Sequence, residues 1–118
     1  MTIFYSHKEQ FLKWIEEIQD ENNSYFEGGF GLCYQAAVLN CLIANKKREN
    51  YVLILGNFDP NSEDTISHAQ VEINGKTYES RGINKKFYPR CIKTFDFCTR
   101  EELKKQLKDF FDSFNYLK

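Results

Sequence analysis

No apolar run in this chain approaches the ~20 residues of a membrane-spanning helix, so no transmembrane helix is expected. The opening residues, Met1 to Lys8, lack the long apolar core of a secretory leader. A soluble, cytoplasmic protein is the expectation. Net charge is also nearly absent, 16 basic residues against 17 acidic ones for a formal −1. No global field therefore draws the chain to nucleic acid or anionic lipid. The four cysteines, Cys33, Cys41, Cys91 and Cys98, lack the close pairs of a structural zinc site. A zinc reading needs Cys91, Cys98 and a histidine to converge through the fold. Cys33 and Cys41 lie about 12 Å apart along one predicted helix, too far for a disulfide. In a reducing compartment all four are expected as thiols. Repeats, linkers and low-complexity segments are missing as well.

Aromatic residues are plentiful, eleven Phe and seven Tyr in 118 residues. That apolar mass suits one compact domain over 1–118. Ser6 and Glu9 form a capping-box pattern. Phe11, Trp14, Ile15 and Ile18 then fall on one helical face, and Asp20 to Ser24 ends that helix. Tyr25 to Gly31 is a glycine-rich approach loop, one candidate wall of a groove and otherwise a flexible turn. Cys33 to about Asn45 is apolar nearly all round, the mark of a central buried helix. Lys46, Lys47 and Arg48 follow at its end, where the helix dipole favours positive charge. Tyr51 to Leu55 reads as a buried strand and Asn57 to Asp64 as a loop. Ile66 to Ile73 alternates, with Ala69, Val71 and Ile73 on one face and His68, Gln70 and Glu72 on the other. Asn74-Gly75 is a strong hairpin signal, and Lys76 to about Arg81 is the returning strand. Ile92 to Phe97 is a further candidate strand. Thr99 with Glu102 is a second capping box, opening a helix whose apolar face is Leu103, Leu107, Phe110, Phe111 and Phe114, with Glu101 and Lys105 paired at i, i+4. The order predicts an α+β domain, helices packed on one face of a small antiparallel sheet.

Three residues in this frame carry chemistry. Cys33 opens the central helix, where unpaired amides and the dipole favour a thiolate and can hold an oxyanion. Cys41, in mid-helix, gains no such help and reads as packing. His68 opens a strand. If Asn74-Gly75 is a two-residue turn, Ile73 faces Lys76, Val71 faces Tyr78 and Gln70 faces Glu79. Glu79 is then a diagonal neighbour of His68 on the same face, roughly 7–8 Å away at the backbone and within reach of a carboxylate. A one-residue slip would send Glu79 to the opposite face. Thiol, imidazole and carboxylate are the parts of a nucleophilic cysteine site. Taken singly, each has a plainer reading: a small core residue, an exposed strand histidine, a solvated hairpin charge.

Gly31-Leu32-Cys33-Tyr34 resembles the Gly-x-Cys-aromatic start of the central helix in papain-like and transglutaminase-like proteins. His68-Ala69-Gln70-Val71-Glu72-Ile73-Asn74-Gly75-Lys76-Thr77-Tyr78-Glu79 resembles the transglutaminase-like stretch that begins His-Ala-Trp, turns, and ends at an acid. The resemblance runs from Gly31 to Glu79. It implies a papain-like or transglutaminase-like core with Cys33 as nucleophile, His68 as base and acid, and Glu79 as orienting group. It further implies hydrolysis of, or acyl transfer from, an amide of a protein or peptide, with no metal or organic cofactor. Gln70 stands where the family has tryptophan, and Glu79 where aspartate or asparagine is commoner. Asp96 is the reserve for the third role. Glu27 occupies the region of the papain-like oxyanion glutamine, with Asn22, Asn23 and Gln35 as substitutes.

Two other classes remain open on sequence. A binding or inhibitory module can share the fold with its triad unused. Arg81, Lys85, Lys86, Arg90 and Lys93, with Phe87 and Tyr88 among them, resemble a single-strand nucleic-acid grip. The near-neutral total argues against nucleic acid and equally allows docking of an acidic partner on this segment.

Overall fold

The computed structural model describes residues 7–19, 22–27, 33–79 and 85–114. Three helices, α1 (His7–Glu17), α2 (Cys33–Lys47) and α3 (Arg100–Asp112), pack with four strands, β1 (Tyr51–Asn57), β2 (His68–Ile73), β3 (Lys76–Tyr78) and β4 (Tyr88–Lys93). The strands form one antiparallel sheet in the order β3-β2-β1-β4. The α+β expectation holds at this level. Among the described residues no helix is long and apolar enough to cross a membrane.

α2 is central because nearly every side of it is apolar. Ala36, Ala37, Val38, Cys41, Leu42, Ile43 and Ala44 are all buried. The sheet meets it with Leu53, Leu55, Ala69, Val71 and Ile73, and α1 and α3 contribute Phe11, Ile15, Leu103, Leu107 and Phe111 to the same core. The predicted apolar faces of α1 and α3 are thus the ones that dock. The Phe11 and Phe111 rings meet edge-on at 4.8 Å. Thr99 caps α3 as its spacing predicts, accepting the Glu102 N–H at 3.2 Å. The Ser6 half of the first capping box and the glycines of the approach loop lie outside the described residues.

Buried polar groups on the helices serve backbone. α1 has no basic residue in its last turn, and α3 supplies one. Lys104, 5% exposed, donates to the carbonyls of Glu16 at 2.9 Å and Ile18 at 3.2 Å. These are helix-end carbonyls that would otherwise lack partners. On α2, Asn40 accepts the Phe26 N–H at 2.8 Å and donates to the Phe26 carbonyl at 3.2 Å. Asn45 does the same for Cys98, at 3.1 and 2.9 Å. Each amide holds both polar groups of one residue, as a neighbouring strand would.

α2 ends in a Schellman turn. The Glu49 N–H bonds to the Ala44 carbonyl at 2.9 Å and the Arg48 N–H to the Asn45 carbonyl at 3.2 Å. Arg48 holds the left-handed position (φ 58°) that glycine usually takes. That conformation costs an L-residue about 1–2 kcal/mol, offset in part because glycine loosens the unfolded chain. The Arg48→Gly protein is therefore expected to gain about 0.5–1 kcal/mol in urea unfolding. A loss instead would show that the Arg48 guanidinium over the Phe97 ring, 5.5 Å from its centroid, outweighs the strain.

The hairpin register is the predicted one, with Ile73 paired to Lys76 and Val71 to Tyr78, but β3 ends at Tyr78, one residue short of the expected Gln70–Glu79 pair. Asn74 (φ 52°) and Gly75 (φ 84°) both occupy the left-handed region that a type I′ turn requires. β1 continues two residues past the predicted Leu55. The fourth strand corrects the sequence expectation. It spans Tyr88–Lys93 rather than Ile92 to Phe97. Proline inside an apolar run signals an edge strand or none, and β4 is that edge. Leu55 pairs with Cys91 and Gly56 with Pro89, leaving Arg90 as the extra residue of a bulge.

Candidate functional site

The loop from β1 to β2 is organised by a buried asparagine. Asn57, 2% exposed, donates to the carbonyls of Ser62 and Thr65, both at 2.6 Å, and accepts the Asp59 N–H at 3.1 Å. Arg90 adds a bond from Nη2 to the Asp59 carbonyl at 2.8 Å. The loop returns to the sheet where the Ser67 N–H meets the Gly56 carbonyl at 2.9 Å. His68 follows as the first residue of β2, paired with Gly56.

His68 is 2% exposed. Its Nε2 lies 3.2 Å from Glu79 Oε1, so the predicted pairing of strand histidine and hairpin acid is made. Glu79 directly follows β3, and its carboxylate is 29% exposed. Two aromatic rings enclose the imidazole, Phe58 at 5.1 Å and Phe87 edge-on at 5.5 Å. Phe87 fits because position 56 lacks a side chain. A Cβ on Gly56 would stand 2.1 Å from the Tyr88 carbonyl oxygen and 2.8 Å from Phe87 Cζ. The close approach of β4 to β1 at the bulge thus sets one wall of the histidine's enclosure.

Cys33 is the first residue of α2 and is half-buried. No acid lies in the first turn to oppose an anion there. The next residue ties this helix end to the histidine strand: Tyr34 Oη donates to the Ile66 carbonyl at 3.0 Å, two residues ahead of His68. Tyr34 is held in turn against Phe11 and Phe111, with centroids at 5.8 and 6.1 Å. The other cysteines differ. Cys41 is fully buried in the core, and burial drives its thiol pKa far upward. Burial also raises the thiols of Cys91 and Cys98, with the Glu102 carboxylate adding to the effect at Cys98.

The reserve acid lies elsewhere. Asp96 borders an open cavity of about 420 Å³ with Tyr51, Asn74 and Phe97. That is the Tyr51–Ile73 end of the β1–β2 pair, whereas His68 is at the Gly56 end, five residues or roughly 17 Å along the strand. Glu27 points to the hairpin, its carboxylate 2.9 Å from Lys76 Nζ. Asn22 and Asn23 offer their carbonyls to Lys46 and Lys47. Gln35 is half-buried in the first turn of α2. Among the described residues no group of three or more His, Cys, Asp or Glu side chains is placed to hold a metal.

The sequence reading missed the frame around the histidine. Phe58, Phe87 and Gly56 are far apart in sequence and meet only through the bulge. Asn57 gave a usable signal, since an asparagine ending an apolar strand commonly starts a side-chain-bonded turn. Asn40 gave a stronger one: a polar residue on an all-round apolar helix must find a partner. No family model matches the chain, and no curated protein and no solved structure matches it.

Proposed function

We propose that this protein is a thiol-dependent amide hydrolase or acyltransferase with a minimal papain-like or transglutaminase-like core, acting on a protein or peptide substrate. The observation that carries the reading is the His68–Glu79 contact at 3.2 Å, in the register that the Asn74-Gly75 turn sets. The Tyr34–Ile66 bond adds that the first turn of α2 is tied to the segment leading into β2.

In this mechanism the Cys33 thiolate attacks the amide carbonyl and forms the C–S bond. The oxyanion is held by backbone N–H groups at the start of α2. Collapse breaks the C–N bond while His68 delivers a proton to the departing nitrogen. Water, or an amine in the transfer reaction, then attacks the thioester, gives its proton to His68, and expels the thiolate. Glu79 holds Nε2 and so fixes the ring and its tautomer, leaving Nδ1 for proton transfer. Phe58 and Phe87 limit water around this pair, which strengthens its electrostatics. No step calls for a metal or organic cofactor.

The test is alkylation of the intact protein with iodoacetamide, mapped cysteine by cysteine over a range of pH. Cys33 is expected to react about tenfold or more faster than an ordinary thiol at neutral pH, with Cys41 inert. His68→Ala is expected to slow Cys33 alone. Ordinary Cys33 reactivity, unchanged by His68→Ala, would refute the activated thiol and leave a non-catalytic binding module on this fold.

A further inference from the structure

We propose that the outer edge of β4 is a docking strand for an extended, acidic segment of a partner protein. Among the described residues only β1 pairs with β4, which leaves its other edge open. An exposed edge offers a row of backbone donors and acceptors to an incoming strand.

The charge on this edge is of one sign. No acidic residue occurs from Ser80 to Phe95, and the described stretch carries Lys85, Lys86, Arg90 and Lys93. Five cations elsewhere meet carboxylates, Lys8 with Asp112, Lys47 with Glu49, Lys76 with Glu27, Lys104 with Glu101 and Lys108 with Glu16, while Lys13, Arg48 and Lys105, scattered on and beside the helices, do not. Among the described residues none of the four β4-side cations has such a partner. Three of them are nonetheless held in place. Lys86 and Arg90 lie over the Tyr88 ring at 5.3 and 5.6 Å, and Lys93 over Phe95 at 5.7 Å. Cations already ordered lose less freedom when a carboxylate arrives. Asp96 closes the stretch at its far end.

Defence of the edge against self-pairing explains part of this pattern. Pro89 and the Arg90 bulge blunt the first half of β4. It does not explain the second half, where Ile92 is 63% exposed, an apolar side chain that a defended edge would not display. Cations flanking an exposed isoleucine fit a strand whose side chains alternate acidic and apolar. A nucleic acid would use the charge but not the open backbone edge, and the net charge of −1 disfavours it. β4 also begins beside the histidine, since Phe87 rests on His68. A docked segment therefore has one end at that site, and whether it is a substrate there rests on the proposed activity.

The experiment uses the full chain carrying Cys33→Ser, so that binding is read without turnover. A fluorescent peptide alternating valine with glutamate is titrated by anisotropy, beside its glutamine counterpart and a single-stranded oligonucleotide. The glutamate peptide is expected to bind about tenfold or more tighter than the glutamine one, weakening with salt. The double variant Lys86→Glu, Lys93→Glu should abolish that preference. Ile92→Ser, a change at an exposed position, should weaken both peptides, and amide exchange should slow at 91–93 on binding. Equal binding of the two peptides, indifference to the variants, protection elsewhere, or tighter binding of the oligonucleotide would overturn the docking strand. Binding as expected in a protein whose Cys33 has ordinary reactivity would keep the docking strand and remove the thiol mechanism. An activated Cys33 with no acidic-peptide binding would do the reverse.

Discussion

His68→Ala is expected to lower turnover of an amide substrate by about 10²–10⁴-fold, the usual contribution of a positioned acid–base group. The ring carries both proton transfers in the mechanism, and no second imidazole among the described side chains stands at the site. The loss should fall on kcat, with KM little changed, because the proton moves in the transition state. Glu79→Gln is the sharper companion. It keeps the size of the side chain at Nε2 and removes the charge that holds it, so it should lower kcat by less than His68→Ala while the fold survives. Folding is checked by circular dichroism on the same samples. A His68→Ala protein with unaltered kcat would remove the histidine from the mechanism. A Glu79→Gln protein whose only change is in KM would reduce the acid to a substrate contact.

Phe111→Ala is expected to cost about 3–5 kcal/mol, the range for deleting a buried phenyl group. Phe111 is fully buried and touches the rings of Phe11, Tyr34 and Phe110. Its removal leaves a void where three helices meet. A domain of this size has about 5–15 kcal/mol in total, so the variant should unfold at markedly lower urea. Phe111→Leu, which fills most of the space, should cost less than about 1.5 kcal/mol. A Phe111→Ala loss well below about 3 kcal/mol would show that the site collapses around the void. The packing also reaches the candidate site. Tyr34 rests on Phe111 and holds the Ile66 carbonyl, so Phe111→Ala should slow Cys33 alkylation while the chain remains folded.

The parts of this fold that could be read from sequence are those governed by local periodicity. The stripe on α3, the all-round apolar α2 and the Asn74-Gly75 turn each declare themselves within a few residues, and the turn chemistry alone sets the β2–β3 register. That register then predicts the His68–Glu79 pair. What could not be read depends on chain segments meeting at a distance. β4 carries proline and a bulge, which erase the alternation that marks a strand, so the strand was expected a few residues too late. The enclosure of His68 needs the β1–β4 approach at Gly56. Lys104 reads as an ordinary surface lysine until α1 is known to end beside it. Cys33 is placed by α2, and that helix end meets the segment before β2 through Tyr34, an aromatic the Gly-x-Cys-aromatic pattern marks but whose bond to the Ile66 carbonyl depends on the fold.

The two asparagines of α2 carry a consequence for how this chain can vary. Each grips a peptide unit rather than a side chain. The gripped residues, Phe26 and Cys98, can therefore change identity without releasing the segment, since every residue but proline offers the same N–H and carbonyl. The gripping positions have no such latitude. Aspartate lacks the donor, leucine lacks both functions, and glutamine is a methylene too long for the same reach. Mutational tolerance should thus be lopsided across each contact: broad on the loops flanking the helix, narrow at two points within it.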